Sequence, residues 1–367
     1  MPDTITKLAY QALQDGKIYF SLGHRAIATQ VRQWLKPNLK AETVPVSPEL
    51  LEQFARRRDE LYEADLKDAE AGVYPQSVLF DNPWQDFFLF YPALWLDLPQ
   101  IWNRVEQGDR QRFDEDINTQ GYPRYYLQNF HYQTNGYLSD LSANLYDLQV
   151  ELLFSGTADA MRRRILAPLK RGLEAMQTAK AGSQSDLLPI QTDQQLRVLD
   201  VACGTGRTLK MLGEAFPEVS LHGVDLSPTY LRKANQLLSE SPRSLPQLTQ
   251  GNAESLPYRD NYFDGLTCVF LFHELPGPVR QTVIEDCFRV TKPGGCFIIC
   301  DSIQMLDSPE LEPMMANFPA IFHEPYYRDY TYDDLNARLA AAGFCDITTQ
   351  VHLVSKYWIA YKPVSAG

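Results

Sequence analysis

Long apolar runs are missing from this 367-residue chain, and none is of a length to span a bilayer. Positive charge is also in short supply: 34 Lys and Arg stand against 46 Asp and Glu, a formal net charge of −12. That balance opposes a long nucleic-acid footprint, which needs clustered cations against phosphates. Cysteine is absent from the first 202 residues. The six that follow, Cys203, Cys268, Cys287, Cys296, Cys300 and Cys345, include no Cys-x-x-Cys pair. Neither a zinc site nor a redox dithiol is therefore expected, and the thiols read as buried small apolar groups. The N-terminus has no basic stretch followed by an apolar core, so no secretory signal is expected and a cytoplasmic location is the default.

What is present is ordinary for a globular protein, with 44% apolar and 22% charged residues, and the length suits two or three domains. The first, 1–124, reads as helical. Thr6 to Leu13 and Leu22 to Leu35 carry apolar residues at helical spacing, and Ser47-Pro48-Glu49 is a helix start. Dense aromatics from Phe80 to Trp102 suit a subdomain core or a wall over a substrate. Residues 125–193 read as a helical lid and linker. Ser139 caps a helix there, and a second runs from Asp159 to Met176, with Arg162, Arg163 and Arg164 spread around it as solvated or ion-paired groups. Thr178 to Asp193, rich in Gly, Ser, Gln and Asp, reads as a surface linker.

From 194 onward short apolar runs alternate with helical patterns, which argues an α/β fold with a mainly parallel sheet. Strands are expected at Arg197–Val201, Ser220–Val224, Pro246–Gln250, Phe263–Val269, Gly295–Asp301, Asp346–Val354 and Lys356–Tyr361. The last two are so close that they must form an antiparallel hairpin. The first strand ends in Asp200-Val201-Ala202-Cys203-Gly204-Thr205-Gly206, a turn of small residues that lets backbone approach a nucleoside-bearing ligand. Asp225 follows Gly206 by 19 residues, at the tip of the next strand, where a carboxylate can accept both ribose hydroxyls. The third glycine of the dinucleotide fingerprint is replaced by Leu209, which weighs against a nicotinamide dehydrogenase.

This turn resembles the first motif of class I S-adenosylmethionine (SAM)-dependent methyltransferases. Gly251-Asn252-Ala253-Glu254-Ser255-Leu256-Pro257, Arg289-Val290-Thr291-Lys292-Pro293-Gly294-Gly295 and Ala342-Gly343-Phe344 resemble later motifs of its ubiquinone and menaquinone biosynthesis group, in order. The resemblance implies a Rossmann-like seven-stranded, mostly parallel sheet with an antiparallel last strand, SAM as cofactor and S-adenosylhomocysteine as product. It implies cofactor contacts from Asp200, Ala202, Gly204, Gly206, Asp225, Leu226, Asn252, Ala253 and Phe270. Asn252 replaces the family's usual Asp, its amide oxygen accepting from the adenine amine. Lid or acceptor contacts are expected from His131, Gln133, Tyr137, Tyr146, Glu324, Tyr326 and Tyr327.

Methyl transfer to a hydroxyl benefits from a base. His273, just after the fourth strand, and His323, in an insertion after the fifth, are the candidates. His273-Glu274 and His323-Glu324 lack a third ligand at fixed spacing, so no metal is expected. The expected activity is methylation, at oxygen or carbon, of a small apolar or aromatic molecule, with no nucleic-acid partner. An RNA or protein methyltransferase and a non-catalytic SAM-binding protein are the alternatives.

Overall fold

A computed structural model of the chain describes residues 4–39, 43–82, 84–182 and 195–364. Most of the linker segment read from Thr178 to Asp193 lies outside the described residues.

The helices are α1 (Thr4–Leu35), α2 (Pro48–Glu70), α3 (Trp84–Gln107), α4 (Asp140–Leu153), α5 (Ala158–Arg163), α6 (Leu166–Gly182), α7 (Arg207–Ala215), α8 (Pro228–Ser239), α9 (Gly277–Val290), α10 (Glu312–Ile321), α11 (Tyr327–Tyr330) and α12 (Leu335–Ala342). The strands are β1 (Arg197–Val201), β2 (Ser220–Asp225), β3 (Gln247–Gln250), β4 (Phe263–Val269), β5 (Thr291–Ser302), β6 (Cys345–His352) and β7 (Ser355–Tyr361).

The sheet order is β3-β2-β1-β4-β5-β7-β6. The first five strands pair in parallel, and β7 inserts antiparallel between β5 and β6. Successive residues of a strand face opposite ways, so each strand feeds two cores. Val198, Cys296, Ile298 and Ile359 join Met161, Leu166 and Leu169 of α5 and α6 on one face. Leu199, Phe297, Ile299 and Trp358 join Val283, Ile284 and Leu335 of α9 and α12 on the other. Each such aliphatic side chain contributes about 1.5–3 kcal/mol by leaving water.

The two N-terminal helical patterns merge into the single helix α1. Gly16 and Gly23 have open space around them, and Tyr10, Gln14 and Ser21 form one continuous buried face across the gap between the patterns. That packing outweighs the cost of a mid-helix glycine, about 1 kcal/mol. The aromatic stretch also forms one helix, α3, although Pro92 and Pro99 lie inside it. The helix expected from Asp159 to Met176 breaks between Arg163 and Leu166 into α5 and α6.

Ser47 and Ser139 accept from Leu50 N–H and Ser142 N–H, capping α2 and α4 as their sequences require. The three adjacent arginines are all buried and ion-paired. Arg162 meets Asp159, Arg163 meets Asp65 and Arg164 meets Asp68. Cysteines 203, 268, 287, 296 and 300 are buried free thiols, and Cys345 is half-buried and free. No helix among the described residues is long and apolar enough to cross a membrane.

Candidate active site

The carboxyl ends of β1, β2 and β4 open onto a cavity lined by Ala202, Gly204, Asp225 and Phe270 among others. β1 delivers the small-residue turn, in which Ala202 (φ 55), Gly204 (φ 55) and Gly206 (φ 80) all adopt left-handed backbone. The turn is tied down by Cys203 N–H to Val224 O at 3.0 Å and Gly206 N–H to Cys203 O at 2.9 Å. Its glycines have different tasks. A Cβ on Gly204 would meet nothing nearer than the Tyr230 ring at 4.0 Å, so it would project into the cavity. A Cβ on Gly206 would stand 3.0 Å from Ala234 Cβ, so that glycine serves the packing of α7 on α8.

Asp225, at the tip of β2, accepts from Gly204 N–H and Ser227 N–H, both at 2.8 Å, one on each carboxylate oxygen. Each oxygen retains a lone pair for a ribose hydroxyl. Burial raises its pKa to about 6, against the opposing pull of its backbone donors. Leu226, Asn252, Ala253 and Phe270 complete this end. The Asn252 side chain is engaged locally, accepting from Glu254 N–H and donating to Glu254 Oε1, each at 3.0 Å.

Two expected cofactor contacts lie off the cavity wall. Asp200 is buried beneath the turn, where its Oδ1 accepts from Thr267 O–H at 2.6 Å. Its pKa rises to about 7, chiefly through burial. Gly206, as described, faces α8.

Tyr137 and Tyr146 line the cavity, as their lid assignment implies. Tyr125, Tyr126, Phe130, Tyr230 and Glu274 line it too and were not singled out in the sequence. Tyr230 was legible in principle: Ser227-Pro228 starts α8, and Tyr230 falls in its first turn beside Asp225. The others arrive on irregular loops that have no period to read. Gln133 is a structural residue, accepting from Ser142 O–H at 2.6 Å and donating to Gln149 at 3.2 Å.

The expected bases are placed differently from each other and from a free imidazole. His273 Nδ1 lies 2.7 Å from Asp301 Oδ1. Asp301 raises its pKa to about 9 although burial opposes this, which favours the protonated ring at neutral pH. His323 lies outside the cavity. It contacts Gln128 Oε1 at 2.9 Å in a separate surface groove shared with Arg110 and Tyr326. Burial and Arg110 lower its pKa to about 4.

Tyr327 is buried behind His273, its hydroxyl 2.9 Å from that of Ser302. Glu274 receives a short hydrogen bond from the Tyr137 hydroxyl. Glu324 is 4% exposed, and neither of its oxygens accepts a hydrogen bond. Burial raises the pKa of both acids. His131, with left-handed backbone at φ 54, brings its Nε2 to 3.2 Å from Glu324 Oε1 and 3.9 Å from Glu274 Oε1.

Comparison with known proteins follows the same ground. Residues 198–295 match a methyltransferase domain. The demethylmenaquinone methyltransferase of Anoxybacillus flavithermus is 35% identical over 188 residues, 46% of this chain and 78% of that protein. This chain belongs to the class I SAM-dependent methyltransferases of the quinone-biosynthesis type. The methyltransferase of the same description from Geobacillus stearothermophilus is 27% identical over 45% of this chain and 79% of its own length. That of Geobacillus kaustophilus is 37% identical over 29% of this chain and 46% of its own. Among solved structures, a SAM-dependent methyltransferase from Aquifex aeolicus aligns with a TM-score of 0.35 and 21% identity, over 45% of this chain and 81% of that one.

The methyltransferase's cofactor is SAM, and the cavity fits it. The turn offers bare backbone at Gly204, the carboxylate of Asp225 suits a diol, and aromatic and aliphatic walls suit an adenine.

Proposed function

We propose that this methyltransferase acts on a small quinone-type acceptor, an aromatic hydroxyl compound methylated at oxygen or ring carbon. The observation that carries the reading is the cavity's lining. Tyr126, Phe130, Tyr137 and Tyr146 line it together with the half-buried carboxyl of Glu274. A flat apolar ring is well matched to such walls, and its hydroxyl to the acid among them. The names of the matched relatives support the same acceptor class.

SAM supplies a methyl group already activated on a sulfonium sulfur. The chain's residues do the rest by position. Asp225 and the Gly204 backbone anchor the nucleoside, and the tyrosines sandwich the acceptor. Glu274, with its pKa raised by burial and Tyr137 donating to it, takes the acceptor's proton as the methyl is transferred. The cationic His273 beside it steadies the negative charge that develops.

The test is to incubate the full chain with SAM and a panel of naphthoquinols, benzoquinols and simple phenols, then follow S-adenosylhomocysteine and methylated product by mass spectrometry. Turnover of at least one quinol is expected. Turnover only of amines, nucleic acid or protein would overturn the assignment.

A further inference from the structure

Three chain segments converge at Glu274, which lines the cavity. His131 comes from the turn before α4, Glu274 from the turn after β4, and Glu324 from the loop after α10. The first and third are stitched together by His131 N–H to His323 O at 3.3 Å. One ligand atom from each of the three side chains lies within 4.8 Å of the others. Two of these separations are 3.2 and 3.9 Å. Groups bound at about 2.0–2.2 Å to one ion stand about 3.0–3.5 Å apart, so a small inward movement suffices.

A second observation concerns Glu324. It is buried, and both its oxygens lack a hydrogen-bond donor. A buried carboxylate left in that state is costly unless something else meets it. Among the described ion pairs, neither Glu274 nor Glu324 has a Lys or Arg partner. Asp301, the acid nearest them, is already matched by His273. Two acids and an imidazole nitrogen thus face one another, with no Lys or Arg paired to them among the described residues and the neighbouring His273 already held by Asp301.

We propose that His131, Glu274 and Glu324 bind one divalent metal ion, with the methyl acceptor's oxygen completing its coordination. One nitrogen and two carboxylate oxygens suit Mn²⁺ or Zn²⁺. One oxygen of each carboxylate serves the ion. The site stands on its own geometry; its role toward the acceptor rests on the function proposed above. The His-Glu pairs at 273–274 and 323–324 offered no third ligand at readable spacing, and His131 lies 143 positions from Glu274, so only folding assembles the set.

The experiment uses the full chain, stripped with chelator and dialysed, and titrates Mn²⁺ by electron paramagnetic resonance and calorimetry. One saturable Mn²⁺ per chain is expected. His131→Ala and Glu324→Gln should each weaken it at least about tenfold, the least that losing a supporting group costs a metal site. Glu63→Gln, on the exposed side of α2, should not change it. Glu324→Gln keeps the size and shape of the buried side chain, so that variant is expected to fold, and circular dichroism checks it. Absence of saturable binding, or binding that survives both substitutions, overturns the site. S-adenosylhomocysteine calorimetry on the same metal-free sample reports separately on the cofactor pocket, and quinol turnover reports on the acceptor.

Discussion

In the proposed site, Asp225 is the one carboxylate offered to the cofactor's ribose. Replacing it with Ala removes the acceptor for the ribose hydroxyls, and S-adenosylhomocysteine affinity should fall by about 1.5–3 kcal/mol by calorimetry. An unchanged affinity would refute the ribose role. The same group sets a pH dependence. Burial lifts its pKa to about 6, so above pH 6 it is ready to accept both hydroxyls, and below pH 6 a proton must first leave. Affinity should be level above pH 6 and fall by up to about tenfold per pH unit below it, a slope that Asp225→Asn abolishes. Its effect on stability has the opposite sense. A raised carboxyl pKa means that folding penalises the charged form. That penalty is present above pH 6 and is relieved as the pH falls through 6 toward the unfolded value near 4.

At the scale of elements, the turn between β1 and α7 is where two demands meet, ligand access and helix packing. Gly206→Ala drives a methyl to 3.0 Å from Ala234 Cβ and 3.2 Å from its Cα, where α8 is held by the sheet. With the left-handed backbone cost at φ 80 added to this overpacking, we expect a stability loss of about 2–5 kcal/mol in urea unfolding. Gly204→Ala meets no neighbour and carries only its left-handed backbone cost, about 1–2 kcal/mol. Its new methyl stands in the cavity, so its cofactor affinity should drop more than tenfold. If the two variants lost affinity and stability in the same proportion, the division of labour between the glycines would be wrong. The sequence showed that both glycines belong to a turn. It did not show which one faces the cavity, because that depends on α8, which begins 22 residues later.

For the whole molecule, the decisive feature is how the N-terminal helices are fastened to the methyltransferase half. Asp65 of α2 is fully buried, as is Arg163 of α5, which meets it at 2.5 Å. The hydroxyls of Tyr10 and Tyr74 donate to the same carboxylate, each at 2.5 Å. Farther along, Arg207, directly after the small-residue turn, reaches both Asp159 at 2.7 Å and Asp81 at 2.8 Å. The helical region is therefore braced against the base of the cofactor turn. Arg163→Ala strands a buried carboxylate and should cost about 3–5 kcal/mol of unfolding free energy. A loss below about 1 kcal/mol in denaturant melts would mean that Asp65 finds another partner or a proton.

The strand positions, the hairpin at the sheet's end, the helix caps at Ser47 and Ser139 and the placing of Asp225 at the tip of the second strand were legible in the sequence. Each depends on neighbours within a few residues or on a period of two or 3.6, so local pattern carries it. The partners of Arg162, Arg163 and Arg164, the cationic state of His273, the turning of His323 into a different groove and the meeting of His131 with Glu274 and Glu324 were not. They depend on which distant side chains share a buried volume of low dielectric, and there a charge's partner and protonation state are decided together. Tertiary structure alone makes that choice.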